Sequence, residues 1–303
     1  MIFHYLKIAF RNLCKHKTQN IISIIGLAVG LLCFCVCIYC SRFVESTDHC
    51  FANHDRIAEL NLYDGKADRY FSGSPVPLAE ELRTWSLGET EAISSVTYPR
   101  ERPYYVELSP EKTLPYELET IEIDTCYNKI FTPEMVAGHW KMASQSLNSV
   151  ILSQSMAIKI FGNAESAIGK HMTLMRRLNT SPESTPKTGG IVYTIQAVMK
   201  DIPLNNSLDF MQNIDMLTVN DSEGLLQSSK RHNMTGANTY VLLSPQTTCT
   251  DLEKQFSKRD YTYTLYGEAY TVTASSMGAR LKKQGASYLG LVTGIVGTLI
   301  LLV

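Results

Sequence analysis

The chain has 303 residues, of which 45% are hydrophobic and 19% charged, and its 28 basic and 29 acidic side chains give a net charge of −1. This balance argues against a nucleic-acid binder, because affinity for phosphates needs an excess of Lys and Arg. The aliphatic and aromatic content excludes disorder for most of the chain. Residues 18–41 and 284–303 carry no charge, which argues against a simple soluble enzyme.

The first uncharged stretch predicts a transmembrane helix at residues 20–42. Within it, IISIIGLAVGLLCFCVCIYCS supplies 21 apolar or small residues. As a helix these span about 31 Å, which matches a hydrocarbon core ~30 Å thick. The run is longer than the apolar region of a signal peptide, and no A-x-A cleavage pattern follows it. We therefore expect a retained membrane anchor in contact with the lipid bilayer.

Basic residues concentrate before this stretch, and the flank after it is mainly acidic. The four basic residues are Lys7, Arg11, Lys15 and Lys17. Positive charge stays in the cytoplasm, so we predict a cytoplasmic N-terminus and a periplasmic or extracytoplasmic central domain, anchored in the inner (plasma) membrane. Apolar residues at helical spacing across residues 1–19 further predict an amphipathic elbow helix on the cytoplasmic membrane surface.

The second uncharged stretch, residues 284–303, predicts a second transmembrane helix. The sequence stops inside it without a charged flank, so we expect this helix to be truncated. Both stretches carry a G-x-x-x-G pattern, at Gly26 and Gly30 and at Gly290 and Gly294. Small residues four apart let helices approach closely in lipid. These glycines are therefore predicted to be membrane helix packing residues.

The central region, residues 43–283, predicts one exported domain of mixed composition. A strand at 150–153 precedes a helix through MAIKIF, with Ser153 or Ser155 as its N-cap and Gly162 as its end. Further strands are predicted at 56–63, 93–108, 119–125, 170–176, 191–199, 210–219 and 239–243, alternation at 260–272, and helices after Pro77 and at 251–258. Strands and helices alternate irregularly, so the predicted fold class is α+β.

Two sets of residues imitate catalytic motifs. The stretch from Gly162 to His171 resembles a phosphate-binding loop, but six residues rather than four lie between its glycines, and His171 replaces the Mg²⁺-binding hydroxyl. The S-x-x-K, S-x-N and K-T-G elements of penicillin-binding proteins have counterparts at 109–112, 146–148 and 187–189. These elements span too little chain to enclose that fold. No catalytic residue is assigned, and the chain is predicted not to be an enzyme.

Cysteine and histidine positions suggest neither a metal site nor a disulfide framework. Cys50, Cys126 and Cys249 are the exported cysteines, and three cannot all pair. One bridge among them is not excluded by spacing, but none is predicted. His49 and His54 form a close pair without a third ligand nearby in sequence. No metal ligand and no cofactor is therefore predicted.

Several stretches resemble one family of membrane proteins. The opening YLKIAFRNLCKHKTQNIISIIGLAVGL is similar to the basic elbow helix and first span of FtsX-like ABC transporter permeases that carry a MacB-like periplasmic core domain. ESTDHCFANHDRIAEL resembles the family's stretch leading out of the membrane, although Thr47 and Ala58 replace expected aromatics. SVILSQSMAIKIFGNAESAIGKHM, YTIQAVMKDIPLNNSLDF and NTYVLLSPQTTCTDLEKQF complete the resemblance in the family's order.

The resemblance implies a mixed α/β, porter-like lobe and a smaller β-rich lobe, the latter placed at residues 146–204. It implies a permease or mechanotransmission subunit that couples ATP hydrolysis by a cytoplasmic ABC ATPase to movement of the periplasmic domain, for export or signalling. It also implies a homodimer, or a pseudo-dimer with a second permease, and a periplasmic partner. Two alternatives stay open: a two-span extracytoplasmic sensor, and a membrane-anchored serine hydrolase of penicillin-binding type.

Overall fold

The computed structural model describes residues 17–71, 73–109, 112–146, 148–174, 190–208, 213–220, 236–265, 267–279, 281–283 and 285. The chain divides into two compact units, one comprising Met1–Thr47 with Arg280–Val303 and the other Asp48–Ala279. The first unit contains helix α1, Lys17–Glu45. The predicted elbow helix, apart from its last residues, and the second predicted span, apart from Gly285, lie outside the described residues.

The second unit alternates strands with short helices. Its first half contains β1 (Ile57–Asp64), β2 (Arg69–Tyr70), α2 (Val76–Arg83), β3 (Thr90–Thr97), β4 (Arg100–Ser109), β5 (Lys112–Ile123), α3 (Tyr127–Phe131), β6 (Met135–Gly138) and α4 (Trp140–Gln145). Its second half contains β7 (Ser149–Ser153), α5 (Gln154–Phe161), β8 (His171–Leu174), β9 (Val192–Met199), β10 (Met216–Val219), β11 (Ala237–Leu243), α6 (Cys249–Lys258), β12 (Thr262–Leu265) and β13 (Glu268–Ser276). Short 3-10 turns occur at His54–Arg56 and Glu165–Ala167.

Six of the strands close into a barrel. Antiparallel pairing joins β4 to β5 and to β8, and β8 to β9. β9 runs parallel to β7, β7 antiparallel to β10, and β10 parallel to β5, which completes the circle. Inward-facing residues such as Tyr104, Leu118 and Ile195 form its buried core, against which α5 packs. Closure removes free strand edges from this part of the fold.

Five further strands extend from the barrel as an open sheet in the order β3, β11, β1, β13, β12, while β2 pairs with β1 and β6 with β9 of the barrel. One face of this sheet packs on α2 and α6 around a core that includes Leu60, Leu82 and Phe256. The opposite face contributes Ile57, Val96 and other side chains to a second core, shared with α3 and the outer surface of the barrel. The unit is therefore a mixed α/β domain, as the sequence predicts.

Local sequence signals explain two of its helices. The Ser153 hydroxyl accepts a hydrogen bond from Met156 N at the start of α5, and Gly162 ends that helix with φ of 86°. Thr248 and Asp251 exchange side-chain and backbone hydrogen bonds as a capping box before α6. Both helices were predicted, and the cap of α5 is Ser153 rather than Ser155.

Three sequence expectations need correction. The single extended run predicted over residues 93–108 is two strands, β3 and β4, interrupted between Thr97 and Arg100. β5 begins at Lys112, well before the predicted position 119, because it forms a long hairpin with β4. The alternating run over 260–272 is likewise a hairpin, formed by β12 and β13. Helices α3 and α4 were not predicted, since each is only a turn or two long.

Candidate functional site

Helix α1 has the length and composition of a membrane span. It contains 29 residues, and its most apolar stretch has a mean hydropathy of 2.9 with none of that stretch buried. Among the described residues it is the one helix that passes this test. Its large apolar side chains face outward; Leu27 and Tyr39, for example, are 68% and 69% exposed. A surface of this kind is stable in lipid rather than in water.

One stripe of α1 is less exposed than the rest. From Gly26 to Val44, most half-buried or buried positions recur three or four residues apart, as on one face of a helix: Gly26, Gly30, Cys33, Cys37, Ser41 and Val44, with Phe43 also half-buried beside the last of them. Nearly all are small residues. Near the C-terminal end of α1, Gly285 approaches so closely that an added Cβ would lie 2.7 Å from Val44 Cγ1. The stripe therefore has the composition of a helix-packing surface in a membrane.

The predicted site residues are distributed as follows. Gly26 and Gly30 lie on this half-buried stripe of α1, and their role in packing stays a prediction. Lys17 is exposed at the first residue of α1. Lys7, Arg11 and Lys15, with Gly290 and Gly294, lie outside the described residues.

The second unit begins at Asp48, only three residues beyond the end of α1. Asp48 is 1% exposed and has a φ of 70°, a left-handed conformation that few residues other than glycine adopt. Its carboxylate accepts hydrogen bonds from Ser207 N at 2.6 Å and Ser207 Oγ at 2.5 Å. Its own N–H donates to the Asn205 carbonyl at 3.0 Å. These contacts hold the first residue of the unit against the loop that follows β9.

The unit ends against the same residue. Gly278 has a φ of 72°, and an added Cβ would collide with Asp48 Oδ2 and approach Ser207 Oγ to 2.9 Å. Just before it, Met277 N donates to the Ile57 carbonyl at 2.9 Å. The two ends of the domain are thus joined through Asp48, Ser207 and Gly278, with Asn205 as a backbone acceptor. We call these four residues the junction clamp.

The loop that supplies the clamp is fixed by its own hydrogen bonds. Asn206 is 1% exposed, and its side chain donates to the Pro203 carbonyl at 2.7 Å and accepts from Leu208 N at 2.9 Å. This loop is the NNS part of the stretch YTIQAVMKDIPLNNSLDF, which carries the family resemblance. The sequence pattern points to this stretch, but it does not show that Asp48 binds Ser207, because 159 residues separate the two.

Cysteines and histidines near the clamp form no metal cluster among the described residues. The rings of His49 and His54 lie 4.5 Å apart, between centroids, but no third ligand joins them in the part of the chain that the structure describes. Cys50, Cys126 and Cys249 are all free thiols. The Cys50 side chain is exposed, but desolvation of its sulfur by neighbouring groups, together with the Asp48 carboxylate, raises its pKa to about 11.

The segments that imitate catalytic motifs have structural roles where they are described. Gly162 caps α5, and Gly169 turns the chain toward β8 with a φ of 78°. Ser109 and Lys112 pair across the end of the β4–β5 hairpin. Residues 187–189 lie outside the described residues.

Helix α1 precedes a mixed α/β domain, an arrangement shared by several classes of membrane-anchored protein. The sequence profile of the MacB-like periplasmic core domain matches residues 21–259. The chain belongs to this family, whose members are parts of ABC transporter permeases rather than enzymes. A comparison with curated proteins found no match.

Solved structures of similar fold include a domain from Porphyromonas gingivalis assigned as part of a permease, with 22% identity, a TM-score of 0.53, and coverage of 75% of this chain and 93% of that one. The periplasmic region of MacB from Actinobacillus actinomycetemcomitans has 14% identity and a TM-score of 0.49, with coverage of 76% and 92%. The extracellular domain of the transporter YknZ from Gram-positive bacteria has 10% identity and a TM-score of 0.43, with coverage of 72% and 99%. The first likeness concerns the fold alone.

Proposed function

We propose that the chain is a permease subunit that passes movement from a cytoplasmic ABC ATPase through the membrane to its periplasmic domain. In this proposal α1 spans the inner membrane with its N-terminus in the cytoplasm, and residues 284–303 belong to a second span. The family membership supports the permease class. Coupling to an ATPase, the membrane orientation and the second span belong to the proposal.

The observation that carries the proposal is the junction clamp. Force applied through α1 enters the second unit at Asp48, and force applied through the returning chain enters near Gly278. Two hydrogen bonds join Asp48 to Ser207, and Gly278 packs closely against both side chains, so the two ends of the domain are held in contact. A domain held this way moves as one body when either flanking segment moves.

The stripe of small residues on α1 supports the membrane part of the proposal. Without a hydrophobic driving force in lipid, helices associate through close packing of small residues. Gly26 and Gly30 would allow such an approach to another span, either of this chain or of a second permease. The half-buried stripe continues beyond them to Val44, where Gly285 approaches.

The test is coupling to a cytoplasmic ABC ATPase from the same genome, sought first next to the gene of this chain. The chain, co-expressed with that ATPase from the intact locus, is purified in detergent and reconstituted in proteoliposomes. We expect the two proteins to co-purify and the permease to change the ATP hydrolysis rate. We further expect Asp48→Ala with Ser207→Ala to lower this change several-fold while co-purification persists. An ATPase rate that is independent of the permease would contradict the proposal.

Downstream sequence offers a second test that needs no protein. A permease is expected to continue after residue 303 with further apolar stretches of about 20 residues each. A kinase or coiled-coil region at that position would instead indicate the sensor alternative. Topology can be checked with an impermeant thiol reagent in spheroplasts, which should label Cys126 or Cys249 after unfolding.

A further inference from the structure

The open sheet of the second unit ends at β12, Thr262–Leu265. Among the described strands, β12 pairs only with β13. It has the sequence TYTL, without the charges, proline or bulge that proteins commonly place on an exposed edge to prevent pairing. Thr262 and Thr264 are exposed, and Tyr263 and Leu265 are half-buried on the opposite face.

The hairpin turn determines which backbone groups of β12 face outward. Leu265 pairs with Glu268 across two intervening residues, so these two must exchange hydrogen bonds with each other. Hydrogen-bonded and non-hydrogen-bonded pairs alternate along an antiparallel ladder. Tyr263 therefore also bonds inward to Tyr270, while the N–H and C=O groups of Thr262 and Thr264 point away from β13.

This arrangement is complementary to itself. If a second copy pairs antiparallel about a two-fold axis at Tyr263, Thr262 of each copy lies opposite Thr264 of the other. The four outward backbone groups of each strand then all find partners. Tyr263 lies opposite its own equivalent in a non-hydrogen-bonded pair, where side chains are closest. Aromatic and Thr–Thr pairs are favourable cross-strand neighbours, and the neutral strand brings no like charges together.

From this geometry we propose that β12 is an interface between two copies of this chain, which join their sheets edge to edge. This interface joins two copies of the permease proposed above. The inference rests on that proposed function, because anchoring both copies in one membrane raises their effective concentration. A high effective concentration favours pairing of the two strands, which is needed because the β12 edge is only four residues long. Two copies joined here form one continuous sheet across the two-fold axis.

Cysteine cross-linking of the full chain in membrane vesicles tests this geometry. The parent has Cys50→Ala, Cys126→Ala and Cys249→Ala, and Tyr263→Cys or Thr262→Cys is added to it. Across the proposed axis, the two positions 263 have Cα atoms about 4.5 Å apart, within the range of a disulfide. The two positions 262 are about 8 Å apart, beyond it.

Under mild oxidation we expect a disulfide-linked dimer with Tyr263→Cys at least several-fold more abundant than with Thr262→Cys or the parent. Equal cross-linking at both positions, no dimer at position 263, or an adduct with another protein would each overturn the proposal. None of these results would affect the proposed function, because coupling to the ATPase is measured separately in proteoliposomes.

A second pair of variants leaves Tyr263 intact and changes only exposed threonines. Thr262→Lys with Thr264→Lys places like charges opposite each other across the axis. Thr262→Lys with Thr264→Glu places opposite charges there, with the same number of substitutions. We expect the dimer fraction, measured by chemical cross-linking in vesicles, to fall several-fold only for the first variant. Equal fractions for the two variants would overturn the interface at β12.

Discussion

Arg83 and Asp124 form an ion pair in which the Asp124 side chain is 2% exposed. The same carboxylate accepts from Ser94 Oγ at 2.8 Å, Ser95 N at 2.9 Å and Cys126 N at 2.9 Å. Arg83 also donates to the Ile93 carbonyl at 2.9 Å. The pair therefore connects α2, β3 and the end of β5 inside the domain.

We expect Asp124→Ala to lower the free energy of unfolding by about 3 kcal/mol, because Ser94 Oγ and Ser95 N lose a buried acceptor while Arg83 keeps Glu80 as its acidic partner. Urea unfolding of the detergent-solubilised chain, followed by tryptophan fluorescence, measures this loss. Lys66→Ala is the control, since Lys66 and Glu268 form an exposed ion pair that should contribute nothing measurable. Similar losses for the two variants would show that Asp124 is not a structural centre.

Gly278→Ala should destabilise the domain beyond the usual cost of a side chain at positive φ. Both that conformation and the collision with Asp48 oppose the new Cβ. Gly169→Ala is the matched control, because Gly169 has a φ of 78° with nothing within 4 Å of an added Cβ. We expect Gly278→Ala to cost at least ~1 kcal/mol more than the control in urea unfolding. Equal losses of stability in the two variants would mean that the junction clamp accommodates the added Cβ beside Asp48.

Tyr104 and Tyr240 should respond in opposite directions to loss of the hydroxyl. Tyr104 is fully buried, and its hydroxyl makes no hydrogen bond of good geometry among the described residues, although the Thr120 side chain is close enough to affect its pKa. Burial raises the pKa of Tyr104 to about 12. Tyr104→Phe should therefore raise the free energy of unfolding by up to ~1 kcal/mol, since an unpaired buried hydroxyl is costly.

The Tyr240 hydroxyl instead accepts from Asn238 Nδ2 at 3.2 Å. We expect Tyr240→Phe to lower the free energy of unfolding by about 1 kcal/mol, because the amide loses its acceptor. Thermal or urea unfolding of the two variants side by side measures both effects. A loss of stability in Tyr104→Phe would reveal a partner for its hydroxyl.

The thiol of Cys50 should react slowly with maleimide near neutral pH. With the pKa raised to about 11, little thiolate is present at pH 8. The higher nucleophilicity of that thiolate offsets part of the deficit, so we expect roughly a tenfold lower rate than in the urea-unfolded chain. In a chain with Cys50 as its one exported cysteine, the rate should keep rising up to about pH 11. A plateau between pH 8 and 9 would contradict the raised pKa.

Local patterns were enough to predict α1, the capped helix α5 and several strands, because hydropathy and cap residues act over a few positions. Barrel closure was not predictable, since it depends on the parallel pairing of β5 with β10, which are distant in sequence. The Gly26 and Gly30 pattern was visible in the sequence. The junction clamp was not, because its partners come from three separate parts of the chain.

The meeting of Asp48 with Gly278 has an evolutionary consequence. A domain whose two ends touch behaves as a cassette inserted into a single loop, and loops of a membrane protein accept such insertions at little cost to the surrounding helices. Relatives could therefore exchange the whole cassette while the chain segments on either side of it keep their spacing.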